Sequence, residues 1–242
     1  MAQYFQNFPS INYRFGNETY STLFQNLAAY VDVVDVVKDN LSFFVKYSIL
    51  DGDRPDVLSM KLYGEDTYYF TFFLMNDKLR EQGWPMTAKS LLQKVKVDHP
   101  NYVLTTRDVL SGKFKVGQTV TGNNSGATGI IIKRRLDFGQ IVIQLTSSMR
   151  FSNTEIIETD SGAGIDTLTL TGEVQEHLSV HHYEDTDGYV DIDPAAAPPA
   201  LYNPITYFDY YTAQNENLRS IHVIKPESIN SVYSAFRQAM ES

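Results

Sequence analysis

The chain has 242 residues, carries 20 Lys and Arg against 29 Asp and Glu for a net charge of −9, and contains no cysteine. That length suits one large domain or two small ones, and the acidity excludes a general binder of nucleic acid or anionic membrane, whose phosphates it would repel. The lack of thiols excludes disulfide scaffolds, cysteine nucleophiles and cysteine-held metals, and fits a protein made in a reducing cytoplasm. The unusual feature is 16 Tyr and 14 Phe, residues that fill cores and also anchor protein interfaces.

The opening MAQYFQNFPSINYRF lacks the basic and apolar regions of a secretion signal. No run of about 18 apolar residues offers a membrane span. Leu23, Phe24, Leu27, Ala28 and Val31 predict a helix over 22–37. SFFVKYSIL, 42–50, reads as a strand, followed by a turn at Asp51-Gly52-Asp53. Pro55 and Asp56 open a helix that Gly64 closes. EDTYYFTFFLMND is a second helix or a strongly aromatic strand, and a further helix runs from Thr87 to Val95. Leu58, Leu62, Tyr63, Phe70 and Leu74 are expected in the core.

From about residue 100, Val, Ile, Thr and Gly dominate and strands alternate with turns. An internal repeat pairs FKVGQTVTGNNSGATGI with FSNTEIIETDSGAGIDT, matching Phe114 to Phe151, Gln118 to Glu155 and Val120 to Ile157. Two related β units forming a small barrel or sandwich are expected. DIDPAAAPPALYNP, 191–204, reads as a linker or extended strap. Ile205–Tyr211 reads as a strand, Gln214–Arg219 as a charged turn and Ser220–Ile224 as a short strand. A closing helix sets Ile229, Val232, Tyr233, Phe236 and Met240 in one stripe.

No catalytic constellation emerges: there is no GxSxG, P-loop or GxGxxG motif. Glu176, His177, His181 and His182 are the densest group, but EHLSVHHYED reads as a strand entering an acidic loop rather than as a metal site. Asp185, Asp187, Asp191 and Asp193 lack calcium-loop spacing. Enzyme activity, a cofactor and a metal are therefore not expected.

Tyr47 to Leu79 resembles a LysM-type unit, with Gly52-Asp53, Tyr63-Gly64 and Asn76 at the family's turn, helix end and closing Asn. A closer likeness joins RPDVLSMKLYG, Tyr68-Tyr69, LMND and Gly83-Trp84-Pro85 to the terminal ENLRSIHVIKPESINSVYSAFRQAME. Together these blocks resemble the LysM-like baseplate wedge protein of T4-like contractile-tailed phages. The resemblance implies an α+β fold: an N-terminal extension (1–41), a LysM-like wedge domain (42–98), an inserted all-β repeat domain (99–190) and a linker with the completing strand-helix (191–242). It further implies a structural subunit of the virion's tail baseplate. Such a subunit joins neighbouring wedges around the hub in six-fold rings, with other wedge and central hub or tube proteins as partners, and assembles in the host bacterial cytoplasm. Tyr233, Phe236 and Arg237 are the expected interface anchors, with Tyr4, Phe5 and Phe8 as the next candidates. The alternative implication is a peptidoglycan-binding module gripping N-acetylglucosamine through Asp53, Arg54, Pro55 and Asn76.

Overall fold

Strand Phe44–Ser48 finds its partner near the far end of the chain. The computed structural model describes residues 10–17, 19–25 and 44–241. Its fold is α+β, and the chain divides into one unit of 1–87 with 215–242 and a second of 88–214.

In chain order, the first unit holds β1 (Ser10–Tyr13), β2 (Thr22–Gln25) and β3 (Phe44–Ser48), then α1 (Pro55–Tyr63), α2 (Phe70–Met75) and α3 (Asp77–Gln82). The second holds α4 (Ala88–Asp98), β4 (Tyr102–Thr106), β5 (Thr119–Gly122), β6 (Thr128–Arg135), β7 (Gln140–Leu145), β8 (Ile156–Asp160), β9 (Ile165–Gln175), β10 (Val180–Asp185), β11 (Gly188–Val190) and β12 (Asn203–Thr206). Helix α5 (Tyr207–Arg219) leads back to β13 (Ser220–Ile224) and α6 (Ile229–Glu241) in the first unit.

β3 and β13 pair antiparallel, Tyr47 opposite Ile221. Arg54 is extended because it precedes Pro55, and Pro55 starts α1, where its missing N–H costs nothing. Gly64, at φ +78°, ends α1 and donates its N–H to the Met60 carbonyl. The open choice for EDTYYFTFFLMND resolves as helix: a single tight turn at Thr67–Tyr69 and then α2. Five of the six residues of FTFFLM are buried because two apolar clusters flank α2. Phe72 packs with Leu58, Leu79, Leu218 and Ile221, whereas Phe70, Leu74 and Met75 pack with Ile224, Ile229, Val232 and Phe236. Leu58, Phe70 and Leu74 are core residues as expected, but Leu62 and Tyr63 are only half-buried.

The second unit is a closed barrel in the order β4-β7-β6-β5-β8-β9, accompanied by a three-stranded sheet β11-β10-β12. Of barrel and sandwich, the repeat builds a barrel, each copy giving one hairpin: β5–β6 and β8–β9. Phe114, Phe151, Val120 and Ile157 all point into its core.

Two expectations need correction. Thr22–Gln25 is a strand paired with Ser10–Tyr13, not the start of a helix; the rest of 22–37 lies outside the described residues. Tyr207–Arg219 is one helix, not a strand and a turn. Thr206 and Asp209 form a reciprocal N-terminal box: the Asp209 N–H donates to Thr206 Oγ1, while the Thr206 N–H and hydroxyl donate to the Asp209 carboxylate. Within 99–190 the elements are strands and single tight turns, as expected of the inserted β unit. The compact unit that contains it runs from Ala88 to Gln214, adding α4 and the start of α5. Its ends are tied in by Asn101, which donates through backbone and side chain to Glu176, and by the His99 ring packed on Tyr207 at 4.4 Å.

Candidate interaction site

The stripe of α6 is packed within its own chain from Ile229 to Phe236; the Met240 side chain lies outside the described residues. Ile229, Val232 and Phe236 are buried, Phe236 to 2% exposure, with its ring 5.1 Å from Phe70. Tyr233 is half-buried and meets Tyr68 edge-on at 5.3 Å. The Tyr68 hydroxyl donates to Asn230, and the Tyr63 hydroxyl, pushed up to about 12 by burial, donates to the Ile224 carbonyl. Phe236 is thus core rather than a partner anchor, and Tyr233 leaves only part of its ring accessible. Arg237 stands on the exposed side of the helix. Tyr4, Phe5 and Phe8 lie outside the described residues.

The sugar-binding set is split. Asp53, Arg54 and Pro55 run into α1, where Arg54 pairs with Asp56 at 2.8 Å, the Asp53 carboxylate accepts the Leu50 N–H, and the Asp53 carbonyl accepts from the Trp84 indole. Asn76 is buried and its amide fully occupied. Its Nδ2 donates to the Phe72 and His222 carbonyls, and its Oδ1 accepts the His222 N–H, each at 2.8 Å. By engaging both peptide groups of His222, Asn76 covers the edge of β13 that β3 leaves open. That role leaves it no polar group for a sugar.

One concentration of exposed aromatic and aliphatic side chains lies on the β1–β2 hairpin. Ile11, Tyr13, Phe15, Tyr20, Leu23 and Phe24 are all exposed. Tyr13, Phe15 and Phe24 make an edge-to-face chain with centroid separations of 4.9 and 5.5 Å. Two strands alone are marginally stable, and so much exposed aromatic surface makes the hairpin a candidate interaction site. The helical reading of 22–37 hid this feature, although the alternation of Ile11, Tyr13 and Phe15 was available to reveal it.

A second group was glimpsed in sequence only as histidines. The His181 ring stacks on Tyr210 at 4.2 Å, and His182 on Tyr189 at 5.4 Å. Arg135 lies 4.3 Å over Phe138 and donates to the Val180 and His181 carbonyls. Burial lowers the His181 pKa, and His182, Arg135, His99 and Lys133 push it the same way. His177, buried in the turn Glu176–Leu178, is lowered by burial, with Lys96 and His99 adding to the shift. Among the described residues, no three His, Asp or Glu side chains converge on a metal position, and no helix is long and apolar enough to cross a membrane.

Neither the models of known protein families nor the curated proteins contain a match to this chain.

Proposed function

We propose that this chain is a structural subunit of the baseplate wedge of a contractile phage tail. It joins neighbouring wedges around the central hub in a six-fold assembly, and belongs to the virion after assembly in the host bacterial cytoplasm. One observation carries the reading. The two separated sequence blocks that resemble the wedge family fold into one unit, β3, which opens the wedge-like segment just ahead of the first block, pairing along its whole length with β13 of the second. Helix α6 of the second block packs on α2 of the first through Phe236 and Phe70. The aromatic hairpin β1–β2 supplies a surface of the composition that protein interfaces use.

The deciding experiment co-expresses the chain with the remaining wedge proteins of its tail and follows it through size-exclusion chromatography. Stoichiometric co-elution supports the proposal. Failure to associate, together with retention on insoluble peptidoglycan, would replace it with the glycan-binding reading.

A further inference from the structure

Successive residues of a strand ordinarily point to opposite faces. His181 and His182 do not, because the β10–β12 register shifts between Val180 and His182. Their Nδ1 atoms approach to 2.8 Å. Two imidazole nitrogens at that distance need one proton between them, with one ring donating and the other accepting. Glu184 sets the direction. Its Oε1 lies 2.9 Å from His182 Nε2, so that nitrogen carries the proton and donates. The neutral His182 ring then accepts at Nδ1 from the N–H of His181. Both rings are neutral in this arrangement, and one hydrogen-bond chain runs His181 to His182 to Glu184.

The surroundings of His181 favour its neutral state. From β6, Arg135 and Lys133 bring positive charge, and His99 adds a third titratable group at the end of α4. The start of α5 offers the rings of Tyr207 and Tyr210, and β11 that of Tyr189. Of the carboxylates beside the pair, Glu184 is engaged by His182, and Glu176 by Asn101 and, at 3.5 Å, by His99. A first proton entering at His181 faces Arg135 and Lys133, with the Glu184 carboxylate as counter-charge only across the His182 ring. A second must enter at His182 Nδ1, setting one N–H against another and breaking the shared bond.

We propose that the His181–His182 pair is an acid-operated latch, which holds the β10–β12 sheet and the first turn of α5 together when neutral and releases them when both rings are charged. Release is available because the Arg135 guanidinium holds the same segment through the Val180 and His181 carbonyls. Charging the pair therefore repels the group that anchors its strand.

The test compares the full chain with His181→Gln and His182→Gln, each of which leaves the pair one ring that can gain a proton instead of two. Thermal unfolding is followed by tyrosine near-UV circular dichroism from about pH 7.5 to about pH 5, the range over which histidines charge. The natural chain should lose several degrees more than either variant over this range, with the tyrosine signal of the inserted unit falling first. Equal acid losses in all three proteins would overturn the latch. Should a variant fail to fold, histidine NMR titration of the natural chain decides. A His181 titration below that of free histidine and coupled to His182 upholds the latch; two rings titrating independently at the free value end it.

Discussion

Thr121 of β5 lies directly opposite Glu158 of β8, and the two are equivalent positions of the repeat, since Thr121 stands to Phe114 as Glu158 stands to Phe151. An approximate two-fold axis therefore passes between these strands. The repeat's polar side chains obey it. Gln118 folds back to accept the Lys115 N–H and reaches across to donate to the Asp160 carbonyl at 3.1 Å. Its equivalent, Glu155, folds back to accept the Ser152 N–H and reaches across to Asn124 and Ser125. Each repeat thus clamps the other's hairpin.

Glu155 is the stronger clamp. It is buried, and burial alone would raise its pKa, but the Ser125, Ser152 and Asn124 N–H groups and the Ser125 hydroxyl outweigh that and hold its carboxyl below the ordinary range. Glu155→Ala should cost about 3 kcal/mol, because several enclosed donors lose a charged acceptor. Glu155→Gln, which copies Gln118, should cost less. A carboxylate with a lowered folded pKa stabilises fully above the ordinary glutamate range and loses that contribution as pH falls through the folded value. Urea unfolding between neutral pH and about pH 3 should therefore show a shallower acid loss in Glu155→Gln than in the natural chain.

The same symmetry exposes a strained residue. Gly117 turns with φ +89°, and at the equivalent position Thr154 is forced to +65°, where a β-branched side chain is disfavoured. Thr154→Gly should stabilise the barrel by up to about 1 kcal/mol. A fall in the unfolding midpoint would show that the Thr side chain contributes more than its backbone strain costs.

Burial separates two leucines that the sequence groups together. Leu58 is fully enclosed, and Leu58→Ala should cost about 2–5 kcal/mol. Leu62 is half-buried and its alanine variant should cost about 1 kcal/mol, because part of the removed surface is already wet. Denaturant melts of both variants give the ratio; equal costs would contradict the packing around α1.

The paired β units were legible, though not their closure into a barrel rather than a sandwich, because Phe114 and Phe151, Val120 and Ile157, and the Ser-Gly-Ala turns recur in order, and a repeat must bury its apolar positions in the same way twice. Pro55 and Gly64 marked α1 because each fixes its own backbone. The stripe of α6 was legible as a stripe, but not its cover: periodicity names a face, whereas the ring that meets Phe236 is Phe70, far off in the chain. Tyr207–Tyr211 misled because aromatic density suggests a strand, while the Thr206–Asp209 box that starts the helix is a weaker local signal. The stack of His181 on Tyr210 has no local signature.

The last prediction sets the hairpin against the helix. If β1–β2 is the wedge interface, changing Tyr13, Phe15 and Phe24 together to Ser removes exposed rings that support no described core. The thermal midpoint should stay within a few degrees of the natural value, since exposed substitutions away from packed groups change stability little. Incorporation into wedge complexes should fall at least tenfold, because aromatic anchors carry most of an interface's energy. Phe236→Ala should behave in the opposite way. It empties a site only 2% exposed and should cost about 3–5 kcal/mol, while any folded fraction still joins the complex. Gel filtration of the purified complexes, scored beside the melting curves, distinguishes the two. A hairpin variant that assembles normally would remove β1–β2 from the interface and return attention to the exposed side of α6 around Arg237.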